Sequence, residues 1–173
     1  MGGRRLTAPR GIRPTAGLVR EAIFNLVAPV VVDATVLDLF AGSGALGIEA
    51  LSRGAARAVL VDRDTRPALG NVERLGLGER AELVRADAER WFAGNAAEPD
   101  PRRFDLVFVD APYRLADRVG QALDTHLPQV LAEGGRAVVE SGARRPLRIA
   151  SLEPLRQRRY GATEIAFYGR EDG

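Results

Sequence analysis

Carboxylates stand where hydrophobic runs end: Asp38, Asp62, Asp87 and Asp110. Between the first two lies Gly42-Ser43-Gly44-Ala45-Leu46-Gly47, a G-x-G-x-x-G run, and Asp62 follows Gly42 by 20 residues. This is the spacing of a nucleotide-binding loop. Glycines let backbone approach a ligand, and an acid after the second strand accepts from ribose hydroxyls. The spacing fits any adenosine cofactor, NAD included. Asp38 discriminates, because a carboxylate beside the loop repels phosphates but suits the cationic amino group of a methionine moiety. Polar groups at Asp87 and Ala88 can contact an adenine edge. With no Arg in the loop to pair phosphates, the acids point to S-adenosyl-L-methionine. Its expected holders are Asp38, Gly42, Gly44, Asp62, Arg63, Asp87 and Ala88.

FVDAPYR, residues 108 to 114, raises a separate question. A buried strand that needed only a turn would end in Gly, Asn or Ser. This one ends in an acid, a small residue, a proline and a ring, beside the same cleft.

The positioning elements follow from the pattern. Thr15 can N-cap a helix over about 16 to 27, with Leu18, Ala22, Ile23, Leu26 and Val27 on one face, and Pro29 stops it. Strands at 35–40, 58–62, 81–87, 104–110 and 135–140 then alternate with helices. The helices are expected up to Arg53, over 65–75, through Trp91 and Phe92, and over 115–127; NAAEPDPRR (95–103) reads as a loop. Alternating βα units imply a parallel sheet covered on both faces. PLRQRRY and TEIAFYG, joined by Gly161-Ala162, read as an antiparallel hairpin, so a seven-stranded, mostly parallel sheet is expected. Residues 1–30 read as a basic arm and helix, and 31–173 as one globular unit.

Composition removes several chemistries. The 173 residues are 46% hydrophobic and 28% charged, which suits one globular domain. Without cysteine there is no disulfide, no thiolate metal site and no Cys nucleophile. A cytosine-C5 methyltransferase and a radical iron–sulfur methylase are thereby excluded. His126 alone cannot build a zinc site, so no metal is expected; it reads as a surface or helix-capping residue before Pro128. No apolar run approaches the roughly 18 residues of a membrane span. GGRRLTAPRG lacks an apolar core, so no secretory signal, no membrane contact and a cytoplasmic location are expected.

All 25 basic side chains are Arg. Residues 1 to 20 carry Arg4, Arg5, Arg10, Arg13 and Arg20 with no acid, and 144 to 159 carry six Arg against Glu153 alone. Two basic segments on a nearly neutral chain suggest a polyanion, and Arg4, Arg5, Arg10 and Arg13 are expected to hold RNA phosphates.

D-A-P-Y resembles the [D/N]-P-P-[Y/F/W] motif of methyltransferases that act on exocyclic amino nitrogens of bases. The resemblance implies that Asp110 and a main-chain carbonyl accept the two amine N–H groups, and that Tyr113 stacks on the base. Ala111 replaces the first proline of the motif; its carbonyl is kept, and Pro112 still biases it toward extended backbone. GGRRLTAPRGIRPT, VREAIFNLV, DLFAGSGALGIEALSRGA and YGATEIAFYGR are similar to the bacterial 16S ribosomal RNA guanine-N2 methyltransferases of the guanine-966 type. Ala16, Gly17 and Leu18 depart from that pattern. The resemblance implies a Rossmann-like class I S-adenosylmethionine-dependent fold, catalytic roles for Asp110, Pro112 and Tyr113, and N2 of a guanine as acceptor. The partner it implies is 16S rRNA within an assembling or assembled 30S subunit, met by a monomer. Alternatives are an adenine-N6 methyltransferase, an NAD-binding oxidoreductase, and an RNA-binding module with a vestigial cofactor loop.

Overall fold

Helix α1 (Thr15–Val31) leads into alternating elements: β1 (Thr35–Leu39), α2 (Ala45–Ser52), β2 (Arg57–Asp62), α3 (Arg66–Leu75), β3 (Ala81–Arg85), α4 (Ala88–Ala97), β4 (Phe104–Asp110), α5 (Ala116–Val130) and β5 (Leu131–Gly142). The hairpin β6 (Glu153–Tyr160) and β7 (Thr163–Gly169) closes the chain. The computed structural model describes residues 15–170; Arg4, Arg5, Arg10 and Arg13 lie outside the described residues.

The strands form one sheet of seven in the order β3-β2-β1-β4-β5-β7-β6. The first five run parallel, and β7 is antiparallel to both β5 and β6. This is the mostly parallel α/β architecture expected from the sequence.

Residue alternation splits the core into two layers. Val36, Leu60, Leu106, Phe108 and Val138 pack with Ile23, Phe24, Val27 and Ile48 on the face covered by α1, α2 and α3. Leu37, Val61, Val107, Val109 and Val139 pack with Trp91, Phe92, Leu123 and Leu127 under α4 and α5. Because α1 turns directly into β1, its C-terminus lies at the amino ends of the strands. Its N-terminus is therefore directed to their carboxyl ends.

Several element boundaries differ from the sequence reading. Pro29 does not stop α1, which continues to Val31 because Val27 and Val31 are both buried while Pro29 itself is exposed. Leu18 is not a core residue: it is 66% exposed, and Val19 is buried in its place. α5 likewise runs through Pro128. A proline there leaves the Asp124 carbonyl without its helical donor, and the Ser151 hydroxyl donates to that carbonyl instead. Among the described residues His126 makes no capping hydrogen bond; it stacks on Phe92, ring centroids 5.0 Å apart at 21°. α4 takes in residues 95–97 of the expected loop, where Asn95 exchanges hydrogen bonds with the Arg102 backbone. β5 starts four residues early, since Leu131 pairs with Phe104 ahead of a bulge.

Candidate active site

The glycine loop is shaped by two carboxylates. Asp38, near the end of β1, accepts from the Gly47 N–H at 2.8 Å. Asp62, ending β2, accepts from the Gly42 N–H at 2.9 Å through one oxygen and from the Asp64 N–H at 3.0 Å through the other. Asn71 on α3 donates to the Ser43 carbonyl at 2.9 Å. The loop is thus tied to three neighbouring elements.

Its glycines do different things. A Cβ on Gly47 would lie 2.2 Å from Leu60 Cδ2, so this glycine lets α2 sit against β2. Gly44 combines φ +77° with tight packing against Leu60 and Ile48. Gly42 has φ +55° but meets nothing within 4 Å, so its backbone faces open space. Phe40, before the loop, is a non-glycine residue at φ 61°, a conformation that costs of order 1 kcal/mol or more. Its ring borders a cleft with Arg63, Asp87, Ala88, Leu115 and Val119. Asp87 caps α4 by accepting from the Arg90 N–H at 2.8 Å. Of the residues expected at the cofactor, Gly42 and Gly44 are on the loop, Asp38 and Asp62 are hydrogen-bonded to it, and Arg63, Asp87 and Ala88 line this cleft.

β4 delivers the second half of the site. Asp110 ends the strand, Ala111 is buried, and among the described residues nothing donates a hydrogen bond to the Ala111 carbonyl. Pro112 holds φ −52°, and its carbonyl accepts from Leu115 at 2.8 Å, which starts the turn through Tyr113 to Leu115. Tyr113 is 50% exposed. Its hydroxyl lies 3.3 Å from the Thr163 hydroxyl, and its ring passes over Gly142, where an added Cβ would sit 3.7 Å away. One ring face is thus packed on the end of β5, and the rest is open.

Register shows what the sequence could not. Asp38, Asp62 and Asp110 alternate with residues of the α4–α5 layer, so all three side chains emerge on the α1–α3 face. Glu140 on β5, not singled out in the sequence, is the register partner of Asp110 and joins them. Burial raises Asp38 from 3.8 to about 7, opposed by the Gly47 bond and reinforced by Asp110 and Asp62. Asp110 is exposed at the strand end, and desolvation by the protein around it raises its carboxyl above the ordinary range, to about 6. Burial, then the Asp110 charge, raises Glu140 to about 7. Such a row of carboxylates lacks positive charge. The open backbone at Gly42, the cleft beside Phe40 and this charge deficit fit an adenosine ligand bearing cationic groups better than one bearing phosphates.

The family model described as Conserved hypothetical protein 95 matches residues 1–169. The chain is 39% identical to a Bacillus subtilis protein provisionally named as the rRNA methyltransferase YlbH, with 96% of this chain and 93% of that protein covered. It is 44% identical to Ribosomal RNA small subunit methyltransferase D of Escherichia coli over 65% of this chain and 56% of that one. Among solved structures, the Escherichia coli protein provisionally described as the methyltransferase yhhF has TM-score 0.81 at 37% identity, covering 99% of this chain and 94% of that one. Two further structures, at 18% and 19% identity a likeness in fold alone, are described as complexes with S-adenosylhomocysteine.

Proposed function

The chain belongs to the family described as Conserved hypothetical protein 95 and is an S-adenosylmethionine-dependent rRNA methyltransferase, and from that premise we propose that it methylates the exocyclic N2 of a guanine in small-subunit rRNA, as the guanine-966 type does. The observation that carries this reading is the end of β4. There a carboxylate, an open main-chain carbonyl and a half-exposed ring stand together, beside the acids Asp38, Asp62 and Glu140.

S-adenosylmethionine supplies, when bound, an electrophilic methyl group on a sulfonium sulfur. Asp38 would hold its amino group, Asp62 its ribose hydroxyls, and Phe40, Asp87 and Ala88 its adenine, with Gly42, Gly44 and Arg63 completing the cradle. Tyr113 stacks on a guanine taken out of its own stack. Asp110 and the Ala111 carbonyl accept the two N–H bonds of N2 and aim its lone pair. That lone pair is delocalised into the base, so the positioned acceptors favour the pyramidal nitrogen that reacts. Pro112 fixes the angle between acid and ring. The neutral amine is far too weak an acid for a carboxylate, so Asp110 takes the proton only after transfer has made the nitrogen cationic.

The proposed RNA contacts include Arg4, Arg5, Arg10 and Arg13, which lie outside the described residues. β6 adds Arg156 and Arg158, both exposed, at the sheet edge. No helix among the described residues is long and apolar enough to cross a membrane, and the proposed setting is a cytoplasmic monomer acting on 16S rRNA in a forming or complete 30S subunit.

Single-turnover methylation of rRNA and of small subunits, with the modified nucleotide located by mass spectrometry, is the test. Asp110→Ala should lower the chemical rate by about 10² or more while cofactor affinity changes little. Tyr113→Ala should cost about 1–3 kcal/mol, whereas Tyr113→Phe should be mild, since the contact to Thr163 is long. Wild-type rate in the Asp110→Ala protein, or methyl groups on adenine N6, refutes the reading.

A further inference from the structure

We propose that Glu140 selects guanine, its carboxylate accepting the N1–H of the base whose N2 amine Asp110 holds. The proposal rests on the guanine-N2 reading given above.

Glu140 and Asp110 are register partners on adjacent parallel strands, and such strands lie about 4.8 Å apart. Both residues end their hydrophobic runs toward the carboxyl ends of the strands, and their side chains leave the sheet on the same face. The other enclosed glutamate of this sheet, Glu164, shows how the fold treats an acid it needs only for structure: Arg148 and Arg159 both pair with it. Glu140 is half-buried, yet among the described residues its carboxylate has neither a hydrogen bond nor an ion pair. Instead it stands beside a second carboxylate, and burial together with that neighbour raises its pKa to about 7. An unpaired acid against another acid is unfavourable in the free protein, and a ligand that donates to both relieves it.

The bases differ in what they offer there. Beside its exocyclic amine guanine presents N1–H, a donor. Adenine presents N1 and cytosine N3, both lone pairs, next to their amines. With Asp110 accepting from the amine, an ionised acceptor on the adjoining strand welcomes the guanine edge and repels the other two. Sites built around a buried acceptor discriminate strongly, because the wrong substrate leaves that acceptor unpaired. Asp110 alone does not distinguish the bases, since all three bring it an amine.

2-Aminopurine isolates this contact: it keeps the N2 amine, but its N1 is an acceptor. RNA carrying guanine or 2-aminopurine at the position the wild type modifies would be compared at pH 8.5, where a carboxyl near 7 is ionised. The wild type should prefer guanine by about 10- to 100-fold in kcat/KM, the range of one hydrogen bond to a charged group. Glu140→Gln can donate to the 2-aminopurine N1, and its preference should collapse to within about threefold. Glu140→Ala should also lose most of the preference. Circular dichroism and S-adenosylmethionine affinity check that both variants are folded. If the wild type modifies 2-aminopurine as fast as guanine, the proposal is overturned without any variant. It is also overturned if Glu140→Gln is folded and keeps the wild-type preference. A wild type that methylates no guanine N2 sinks the underlying reading instead, and that result is seen before Glu140 is touched.

Discussion

Asp38 sets stability against cofactor binding, and the Asp38→Asn substitution separates them. The side chain is 1% exposed, and its carboxyl is raised from 3.8 to about 7 by burial and then by Asp110 and Asp62. The folded protein therefore holds this proton more tightly than the unfolded chain does. The sign follows: stability from this group is intact below about pH 4, declines as pH rises from there, and is fully lost above about pH 7. A gap of about three pH units at 1.36 kcal/mol each sets the loss at about 4 kcal/mol in the cofactor-free protein.

Asp38→Asn abolishes the ionisation, and the amide oxygen can still accept from the Gly47 N–H. The variant should therefore be more stable than wild type at pH 8, by up to about 4 kcal/mol. At about 2–4 °C per kcal/mol for a domain of this size, Tm should rise by roughly 10 °C. Near pH 4 the two proteins should converge. Cofactor binding should move the other way, because a bond to a charged amino group is worth about 1.5–3 kcal/mol, or 10- to 150-fold in Kd. Thermal melts from pH 5 to 8, with calorimetry of S-adenosylmethionine binding, read both effects. A variant no more stable than wild type at pH 8, or one with unchanged cofactor affinity, refutes the reasoning.

Asp62→Ala should weaken S-adenosylmethionine binding by about 1–3 kcal/mol, by leaving ribose hydroxyls unpaired and releasing the Gly42 and Asp64 N–H groups; unchanged affinity in a folded variant removes the ribose assignment. Gly47→Ala should destabilise by about 1–3 kcal/mol, because the new methyl lies 2.2 Å from Leu60 Cδ2 and α2 must shift; an unaltered melt would show that this packing is not tight. Deleting residues 1–13 should weaken rRNA binding and flatten its salt dependence while sparing cofactor binding. A salt slope equal to wild type's would mean that the arm holds no phosphates.

What was legible in the sequence was whatever local pattern dictates. Strand–helix alternation gave the parallel sheet, and the short Gly161-Ala162 link gave the β6–β7 hairpin. Glycine spacing and strand-end acids located the cleft, since parallel α/β sheets bring carboxyl ends to one edge. Tertiary partners were not legible. Ser151 satisfies the carbonyl that Pro128 leaves bare, so a local helix-stop signal failed. Phe92 occupies the ring of His126, which the sequence placed on the surface. Asn71 reads as an ordinary helical residue until its amide is seen on the Ser43 carbonyl. Glu140 reads as the last residue of GRAVVE, and only register puts it beside Asp110.

That register also bears on why the proposed reaction can run at neutral pH. Methyl transfer moves positive charge from sulfur to the amine nitrogen and then onto a proton. A cationic N2 has lost its conjugation with the electron-poor ring and is a much stronger acid than an anilinium ion. The carboxyl of Asp110, near 6, is far more basic than that cation and still ionised at pH 7. It can therefore hold the neutral amine as an acceptor and take the proton downhill once the nitrogen is charged. Asp38, Asp62 and Glu140 stand on the same face of the sheet as Asp110, so under the proposed reading the acceptor for the proton and the acids facing the cofactor share one side.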